Sequence, residues 1–96
     1  MTHFEQLRQK RAEILAIADK YGATNLRIFG SVSRGDDRPD SDIDILIDQE
    51  NAWSLFDHVA MMQDLEDLLE RKVDLATADA LRPGFKERIL QDAIAL

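Results

Sequence analysis

The sequence predicts an α/β (α+β) fold in which a small mixed β-sheet carries helices on one face. Three short segments have the alternation of apolar and polar residues that is typical of strands. Longer segments with helical spacing of apolar residues separate them, in the order helix, strand, strand, helix, strand, helix. A small sheet buries its apolar face most simply beneath a layer of helices. The 96 residues contain no linker or repeat, so we expect a single domain over residues 1–96.

The first half of the chain predicts a helix, a strand and a loop. We expect the helix over residues 2–22, because Thr2 and Glu5 fit a capping box at its start and a glycine suits its end. The apolar alternation of residues 25–30 predicts the first strand. Residues 31–40, SVSRGDDRPD, are polar and contain a glycine and a proline, which predicts a turn or short loop.

The second half predicts two further strands and two helices. The strands cover residues 41–48, SDIDILID, and residues 72–77, KVDLAT. The helices cover residues 51–72, with Ser54 able to cap the helix, and residues 82–96. Helical spacing predicts that these apolar side chains are buried: Leu55, Phe56, Val59, Met62, Leu65 and Leu69 in one helix, and Phe85, Ile89, Leu90, Ala93 and Ile94 in the other.

Composition excludes several classes of function. The net charge of -7 argues against direct nucleic-acid binding, which depends on clustered Lys and Arg, and is compatible with a metal site or a basic protein partner. The chain has no cysteine, so disulfides, zinc–thiolate sites and thiol catalysis are excluded. No apolar run approaches the length of a membrane span, and the start does not resemble a signal peptide. We therefore expect a cytosolic protein with no membrane partner.

The segment SDIDILID places carboxylates on one face of a strand. Asp42, Asp44 and Asp48 fall on the face opposite the isoleucines, and Asp42 and Asp44, two residues apart, lie roughly 6–7 Å from each other. Aspartate is depleted in strands, and like charges side by side repel each other. A solvated surface is one interpretation, and a bound cation that removes the repulsion is the favoured one. A calcium loop is excluded, because Ile45 and Asn51 stand where that loop needs a glycine and a carboxylate.

Gly30 and Ser31 follow the first predicted strand. A Gly-Ser turn that leaves a strand can present N–H groups and a hydroxyl to a phosphate, since glycine lets the backbone approach closely. An isolated Gly-Ser is most often only a turn, and no Walker A lysine follows it. The prediction of a phosphate site depends on the combination of two motifs, Gly30-Ser31 and Asp42-Ile43-Asp44, which ten residues separate.

The segment GSVSRGDDRPDSDID resembles the signature of the nucleotidyltransferase superfamily related to DNA polymerase beta, which is Gly-Ser, a spacer and Asp-x-Asp. FGSVSRG, RPDSDIDILI, RKVDLAT and the short length resemble the minimal nucleotidyltransferase (MNT) proteins, which act as antitoxins of HEPN-domain ribonuclease toxins. The resemblance covers nearly the whole chain and implies the nucleotidyltransferase fold. It also implies ATP as substrate and two Mg²⁺ ions.

The resemblance assigns residues to this chemistry. It implies that Asp42 and Asp44 bind the metal ions and that Asp74, from the third strand, is the third carboxylate ligand. Asp74 would also deprotonate or orient the attacking hydroxyl, and the three aspartates would form the catalytic set. Gly30 and Ser31 would contact the nucleotide. We expect Arg34 to contact phosphate from the loop, although a solvated loop charge is an equally good interpretation.

Other polar residues receive no functional role from the sequence. We expect Asp48 at the surface, Asp36 and Asp37 solvated in the loop, and Arg71 and Lys72 solvated at a helix end. The sequence gives neither histidine a catalytic role.

The resemblance implies an antitoxin that transfers AMP from ATP to a hydroxyl, expected to be a tyrosine, of a cognate HEPN toxin. An alternative is an antitoxin without catalysis that neutralises the toxin by direct binding. A transferase for a small molecule such as an aminoglycoside is disfavoured, because such enzymes carry an extra domain to hold the acceptor. The sequence leaves open whether the chain forms a homodimer or a hetero-oligomer with the toxin.

Overall fold

A computed structural model describes residues 3–49 and 53–96 of the chain. The elements are α1 His3–Gln9, α2 Arg11–Tyr21, β1 Ala23–Phe29, α3 Gly30–Arg34, β2 Ile43–Gln49, α4 Leu55–Leu69, β3 Val73–Thr77, a 3₁₀ turn Ala78–Ala80, α5 Pro83–Asp92 and β4 Ile94–Ala95. Thr2, the N-cap of the predicted capping box, lies outside the described residues. Within these residues, no helix combines the length and the apolar character that a bilayer crossing requires.

The strands form a mixed sheet in the order β3-β2-β1-β4, which confirms the predicted fold class. β1 pairs antiparallel with both β2 and β4, and β2 pairs parallel with β3. Helix α4 connects the two parallel strands, because a parallel pair needs a long crossover. The sheet therefore places β2 at its centre, next to both β1 and β3.

The isoleucines of β2 explain how the main core forms. Ile43, Ile45 and Ile47 alternate along the strand, and all three are buried on the face that meets the helices. They share one apolar cluster with side chains from α2 and α4, namely Ile14, Ala18, Met61 and Leu65. The predicted direction of the isoleucines is thus confirmed.

The opposite face of the sheet is covered over only part of its area. Leu46 alternates with the isoleucines and is fully buried against Ala78 of the 3₁₀ turn and Ile89 of α5. Helix α5 therefore covers part of this face, which the predicted layer of helices on one face would have left open. The part that contains Asp44 is left accessible to a ligand.

Two predicted boundaries at the start of the chain are wrong. The predicted single helix over residues 2–22 is divided into α1 and α2 at Lys10. The predicted loop over residues 31–40 contains the short helix α3, which ends at Gly35 in a left-handed conformation. The hydroxyl of Ser33 supports α3 by donating to the Gly30 carbonyl at 2.9 Å. Polar composition suggested a loop because the hydroxyls that stabilise this turn also favour loops.

Helix α4 begins later than the sequence predicts. Ser54 and Asp57 form the capping box: the Asp57 N–H donates to Ser54 Oγ at 3.1 Å, and the Ser54 N–H donates to Asp57 Oδ2 at 3.0 Å. The predicted burial of the first turns is wrong, because Leu55 is 77% exposed, Phe56 is 88% exposed and Val59 is also exposed. Only the later turns of α4 lie over the sheet.

The end of the chain is a strand and not a continuation of α5. Helix α5 ends at Asp92, and Ile94 pairs with Ile28 of β1. The predicted burial of Phe85, Leu90 and Ile94 is wrong, since all three are exposed, whereas Ile89 is buried as predicted. The β4 segment is two residues long, too short for its pattern to indicate a strand.

Candidate active site

The register of the sheet brings two of the predicted aspartates side by side. Asp44 of β2 is the direct partner of Asp74 in the parallel ladder with β3. On the other side of β2, Asp44 is the partner of Phe29, the last residue of β1. The chain turns into α3 at Gly30. Asp44 therefore lies between Asp74 and the Gly30-Ser31 turn.

Gly30 makes room for the Asp44 carboxylate. Its backbone has a φ of +71°, in the left-handed region that side chains other than glycine rarely adopt. A Cβ atom at this position would lie 2.2 Å from Asp44 Oδ2. Both the turn and the space beside it thus require glycine. The group that approaches Gly30 is a carboxylate of the chain itself, and the expected close approach of this backbone to a phosphate stays a prediction.

The electrostatics of Asp44 show that the carboxylates influence one another. Burial is the largest cause of the rise in the pKa of Asp44, from 3.8 to about 6. The negative charges of Asp74 and Asp42 raise this pKa further, and the positive charge of Arg34 lowers it. The site therefore concentrates negative charge around a half-buried carboxyl that would be stabilised by a cation.

Asp42 comes from the segment that enters β2, and Arg71 fixes this segment. The Arg71 guanidinium donates to the carbonyl oxygens of Pro39 and Ser41 and also contacts His3. The expectation that Arg71 is solvated is wrong. Its partners lie about thirty residues away in sequence, so no local pattern indicates the contact. Arg71 thereby joins the end of α4 to the segment that carries Asp42.

The donor set fits a hard divalent cation. Carboxylate oxygens are the protein ligands that Mg²⁺ prefers, with water and phosphate oxygens completing its shell. Within residues 3–49 and 53–96, no three His, Cys, Asp or Glu side chains converge tightly enough to form a complete metal site. Asp42 and Asp74 are exposed, and Asp44 is half-buried beside Gly30. Asp44 and Asp74 are direct partners across β2 and β3, so these two carboxylates could share a cation, and substrate oxygens would have to supply further ligands.

Ser31 and Arg34 lie on the helix that starts at Gly30. Ser31 is half-buried in the first turn of α3. Arg34 ends α3 and donates from Nε to Asp36 Oδ2 at 3.2 Å, with half of its side chain exposed. Arg34 is close enough to lower the pKa of Asp44. The exposed part of the Arg34 guanidinium can therefore contact an anionic ligand from the end of α3.

Other acidic residues are held by partners outside this cluster. Asp48 accepts from Arg27 at 2.8 Å and from Asn25 at 3.0 Å, so it is a half-exposed ion-pair partner. The hydrogen bond from Asn25 is the main cause that lowers the pKa of Asp48. Asp37 pairs with His3 and is not simply solvated in the loop. Of the aspartates considered from sequence, Asp74 and Asp42 are the two whose charges raise the pKa of Asp44.

Comparison with known proteins places this geometry in a family. The profile of the nucleotidyltransferase domain matches residues 10–96. A proposed protein adenylyltransferase of Methanocaldococcus jannaschii is 37% identical over 84 residues, which cover 88% of this chain and 90% of the relative. The protein adenylyltransferase MntA of Thermococcus cleftensis is 33% identical over 78 residues, which cover 81% of this chain and 79% of the relative.

Solved structures agree with the sequence relatives. A proposed minimal nucleotidyltransferase has a TM-score of 0.88 and 40% identity, and the match covers 100% of this chain and 97% of the other. A chain in the complex of the tri-AMPylated HEPN toxin and MNT antitoxin of Shewanella oneidensis has a TM-score of 0.71 and 17% identity, over 92% of this chain and 69% of that one. At that identity the likeness shows the fold alone. The protein described here belongs to the nucleotidyltransferase domain family, and within it to the minimal nucleotidyltransferases.

Proposed function

We propose that this chain is an antitoxin adenylyltransferase that moves AMP from ATP to a tyrosine hydroxyl of a HEPN-domain toxin. The observation that carries the proposal is the pairing of Asp44 with Asp74 in the parallel ladder. The Asp44 carboxylate also lies beside Gly30, and the negative charge of Asp42 raises its pKa. A relative that is 33% identical is named as a protein adenylyltransferase, and complexes of MNT antitoxin with HEPN toxin share the fold. A similar fold also occurs in a toxin–antitoxin structure with AMP-PNP, at 20% identity.

Asp42 and Asp44 would act on the nucleotide through the metal ions, and Asp74 would also act on the acceptor hydroxyl. Asp42 and Asp44 would hold two Mg²⁺ ions, with Asp74 as the third ligand. When bound, these ions neutralise the triphosphate and lower the pKa of a coordinated hydroxyl. Asp74 is exposed at the edge strand β3, where an acceptor hydroxyl from another protein can reach it. Asp74 would orient that hydroxyl and accept its proton.

The transfer is an in-line displacement at the α-phosphorus of ATP. The acceptor oxygen forms a bond to the α-phosphorus, and the bond from this phosphorus to the α,β-bridging oxygen breaks. Pyrophosphate leaves, and the tyrosine carries AMP. The Gly30-Ser31 turn would bring backbone N–H groups and the Ser31 hydroxyl to the phosphates, and Arg34 would add a positive charge beside them.

The net charge of the chain supports a basic protein as acceptor. A net charge of -7 favours association with a basic RNA-cleaving toxin, because complementary charge speeds encounter and helps to orient the partners. Within residues 3–49 and 53–96, α5 covers the part of this sheet face around Leu46 and leaves the part with Asp44 accessible. A toxin that presents its own tyrosine could approach this accessible part.

The experiment mixes purified toxin, this protein and Mg-ATP, and measures the mass of the toxin. We expect an adenylyl mass increment with the wild-type protein. The Asp74→Asn protein should leave ATP binding largely intact and abolish the increment, because it lacks the group that orients the hydroxyl. Asp48→Asn is the matched control: it removes a carboxylate of the same sheet that pairs with Arg27 outside the cluster, and should leave transfer unchanged.

A second candidate is neutralisation by contact without transfer. The observation that favours it is the exposed apolar surface of the first turns of α4, formed by Leu55, Phe56 and Val59. Exposed apolar patches of this kind often mark protein-binding surfaces. A toxin that is inhibited but unmodified, and inhibited equally by the Asp74→Asn protein, would support this candidate and contradict the enzymatic one.

A further inference from the structure

A groove runs between α3 and α5, immediately beside the aspartate cluster. One wall is a single face of α5, because Phe85, Arg88, Ile89 and Asp92 recur at the spacing of neighbours on a helix. The opposite wall includes Gly30 and Arg34. The groove encloses a cavity of about 230 Å³. Its wall on α5 extends about 10 Å, at the rise per residue of a helix.

The groove continues into a second cavity at the start of α5. This second cavity has a volume of about 420 Å³ and is lined by Arg82, Gly84, Phe85 and Arg88. Phe85 and Arg88 therefore line both cavities. Together the two form a path that leads away from Gly30 along α5, of a size suited to a small organic ligand.

The side chains that line this path are available for binding. Phe85 is 56% exposed, although the sequence pattern predicted that it would be buried. Within residues 3–49 and 53–96, no carboxylate oxygen lies within ion-pair distance of Arg88 or Arg82. Free guanidinium groups beside an exposed aromatic ring are unusual in a chain with a net charge of -7. A ligand that has both an aromatic part and an anionic part would complement these features.

We propose that this groove binds the nucleoside part of ATP, with the base stacked on the ring of Phe85 and the Arg88 guanidinium contacting phosphate oxygens. The inference rests on the proposed function, which places the triphosphate at the aspartates and at Gly30. The α3–α5 groove begins at Gly30, so a nucleoside attached to this triphosphate can lie along the groove. A phenylalanine ring recognises the face of a base without hydrogen bonds, and arginine suits phosphate. Asp92 can only accept hydrogen bonds when ionised, which suits ribose hydroxyls.

Calorimetric titration with two probes separates the contributions of the base and the phosphates. The probes are Mg-ATP and magnesium tripolyphosphate, which has the phosphates without the nucleoside. We expect Phe85→Leu to weaken ATP binding by about five- to a hundredfold, the usual range for loss of one base stack, and to leave tripolyphosphate binding unchanged. Arg88→Gln should weaken the binding of both probes. Phe85→Trp should retain ATP affinity, because it restores a stacking surface.

The Phe85→Trp protein provides a direct readout of stacking. Its added indole fluorescence should be quenched by ATP and not by tripolyphosphate, measured against the wild-type protein, whose one tryptophan is Trp53. Phe56→Leu and Lys20→Gln are matched controls, because both residues are exposed on helices of the opposite layer. Both controls should bind ATP as the wild type does. Thermal melts of each variant establish that it is folded.

The outcomes distinguish this inference from the proposed function. If the wild-type protein binds ATP and Phe85→Leu binds it equally well, the inference is overturned and the proposed function stands. If Phe85→Leu raises only the KM for the toxin, the groove holds the acceptor, and the inference is again overturned. If the wild-type protein does not bind Mg-ATP, the proposed function fails together with the inference.

Discussion

Gly30 and Asp44 share a space too small for one additional carbon atom. The positive φ of Gly30 turns the chain from β1 into α3, and the absence of a Cβ atom admits the Asp44 carboxylate. Gly35, at the other end of α3, has nearly the same backbone conformation with nothing within 4 Å of a Cβ atom. Gly35 therefore requires glycine only for its backbone conformation, whereas Gly30 requires it both for its conformation and for the space beside Asp44.

We predict that Gly30→Ala abolishes nucleotide binding, whereas Gly35→Ala does not. Each substitution should cost roughly 1–2 kcal/mol of unfolding free energy, because both place a side chain in the left-handed region. Only alanine at position 30 displaces the Asp44 carboxylate, since its Cβ would lie 2.2 Å from Oδ2. Urea denaturation and Mg-ATP titration of both variants test this. Equal nucleotide affinity in the two variants would contradict the assigned role of Gly30.

We predict that Asp44→Asn stabilises the metal-free protein at neutral pH. The folded carboxyl has a pKa of about 6, above the ordinary 3.8, so the folded state binds the proton more tightly than the unfolded state does. Ionisation therefore destabilises the fold. The penalty is absent below pH 3.8, grows as pH rises towards about 6, and is fully present above that. The gain in unfolding free energy from the substitution, measured in EDTA, should rise across this interval.

Asp48→Asn is the control, because its effect on the unfolding free energy should have the opposite sign to that of Asp44→Asn. Asn25 and Arg27 lower the pKa of Asp48, so its ionised form stabilises the fold above its ordinary pKa. This contribution is lost as pH falls through the lowered value, and the substitution should therefore cost most at neutral pH. A gain from Asp44→Asn that does not depend on pH would contradict the electrostatic interpretation of the cluster.

At the scale of elements, short sequence patterns predict the direction of side chains within a strand, but not how the strands and helices pack against one another. The alternation of β2 predicts which side chains share a face, so the burial of the isoleucines and the opposite direction of Asp44 could be assigned from sequence. The partnership of Asp44 with Asp74 could not, because register in a parallel pair depends on how the crossover helix α4 packs. The tertiary contacts of α5 likewise decide which of its apolar residues remain exposed, as Phe85 shows.

We predict that Arg71→Ala lowers the unfolding free energy by about 1–3 kcal/mol, because two backbone carbonyls of the segment before β2 lose a charged donor. Lys72→Ala is the matched control, since the Lys72 side chain is exposed and next in sequence. It should change stability by no more than about 0.5 kcal/mol. Urea denaturation compares the two variants. Equal effects would contradict the role of Arg71 in fixing this segment.

At the scale of the whole molecule, the two faces of the sheet differ in how far helices cover them. The isoleucine face is closed by α2 and α4 and forms the main core. On the other face, α5 and the 3₁₀ turn cover Leu46, and Asp44 lies on the part beside Gly30. The Gly-Ser and Asp-x-Asp pattern predicts a site beside Gly30, and the chemistry at this site stays a prediction. The groove beside it depends on the packing of α5 against α3, which no local pattern indicates.

Calorimetric titration of ATP into the protein, with Mg²⁺ or Mn²⁺ and then with EDTA, tests most directly whether the aspartate cluster is a cation-dependent nucleotide site. We predict that the wild-type protein binds ATP only with the divalent ion. We also predict that the Asp42→Asn, Asp44→Asn double variant remains folded and loses this binding, because the carboxylates that hold the cation are gone. Unchanged ATP affinity in EDTA, or in the double variant, would contradict the assignment.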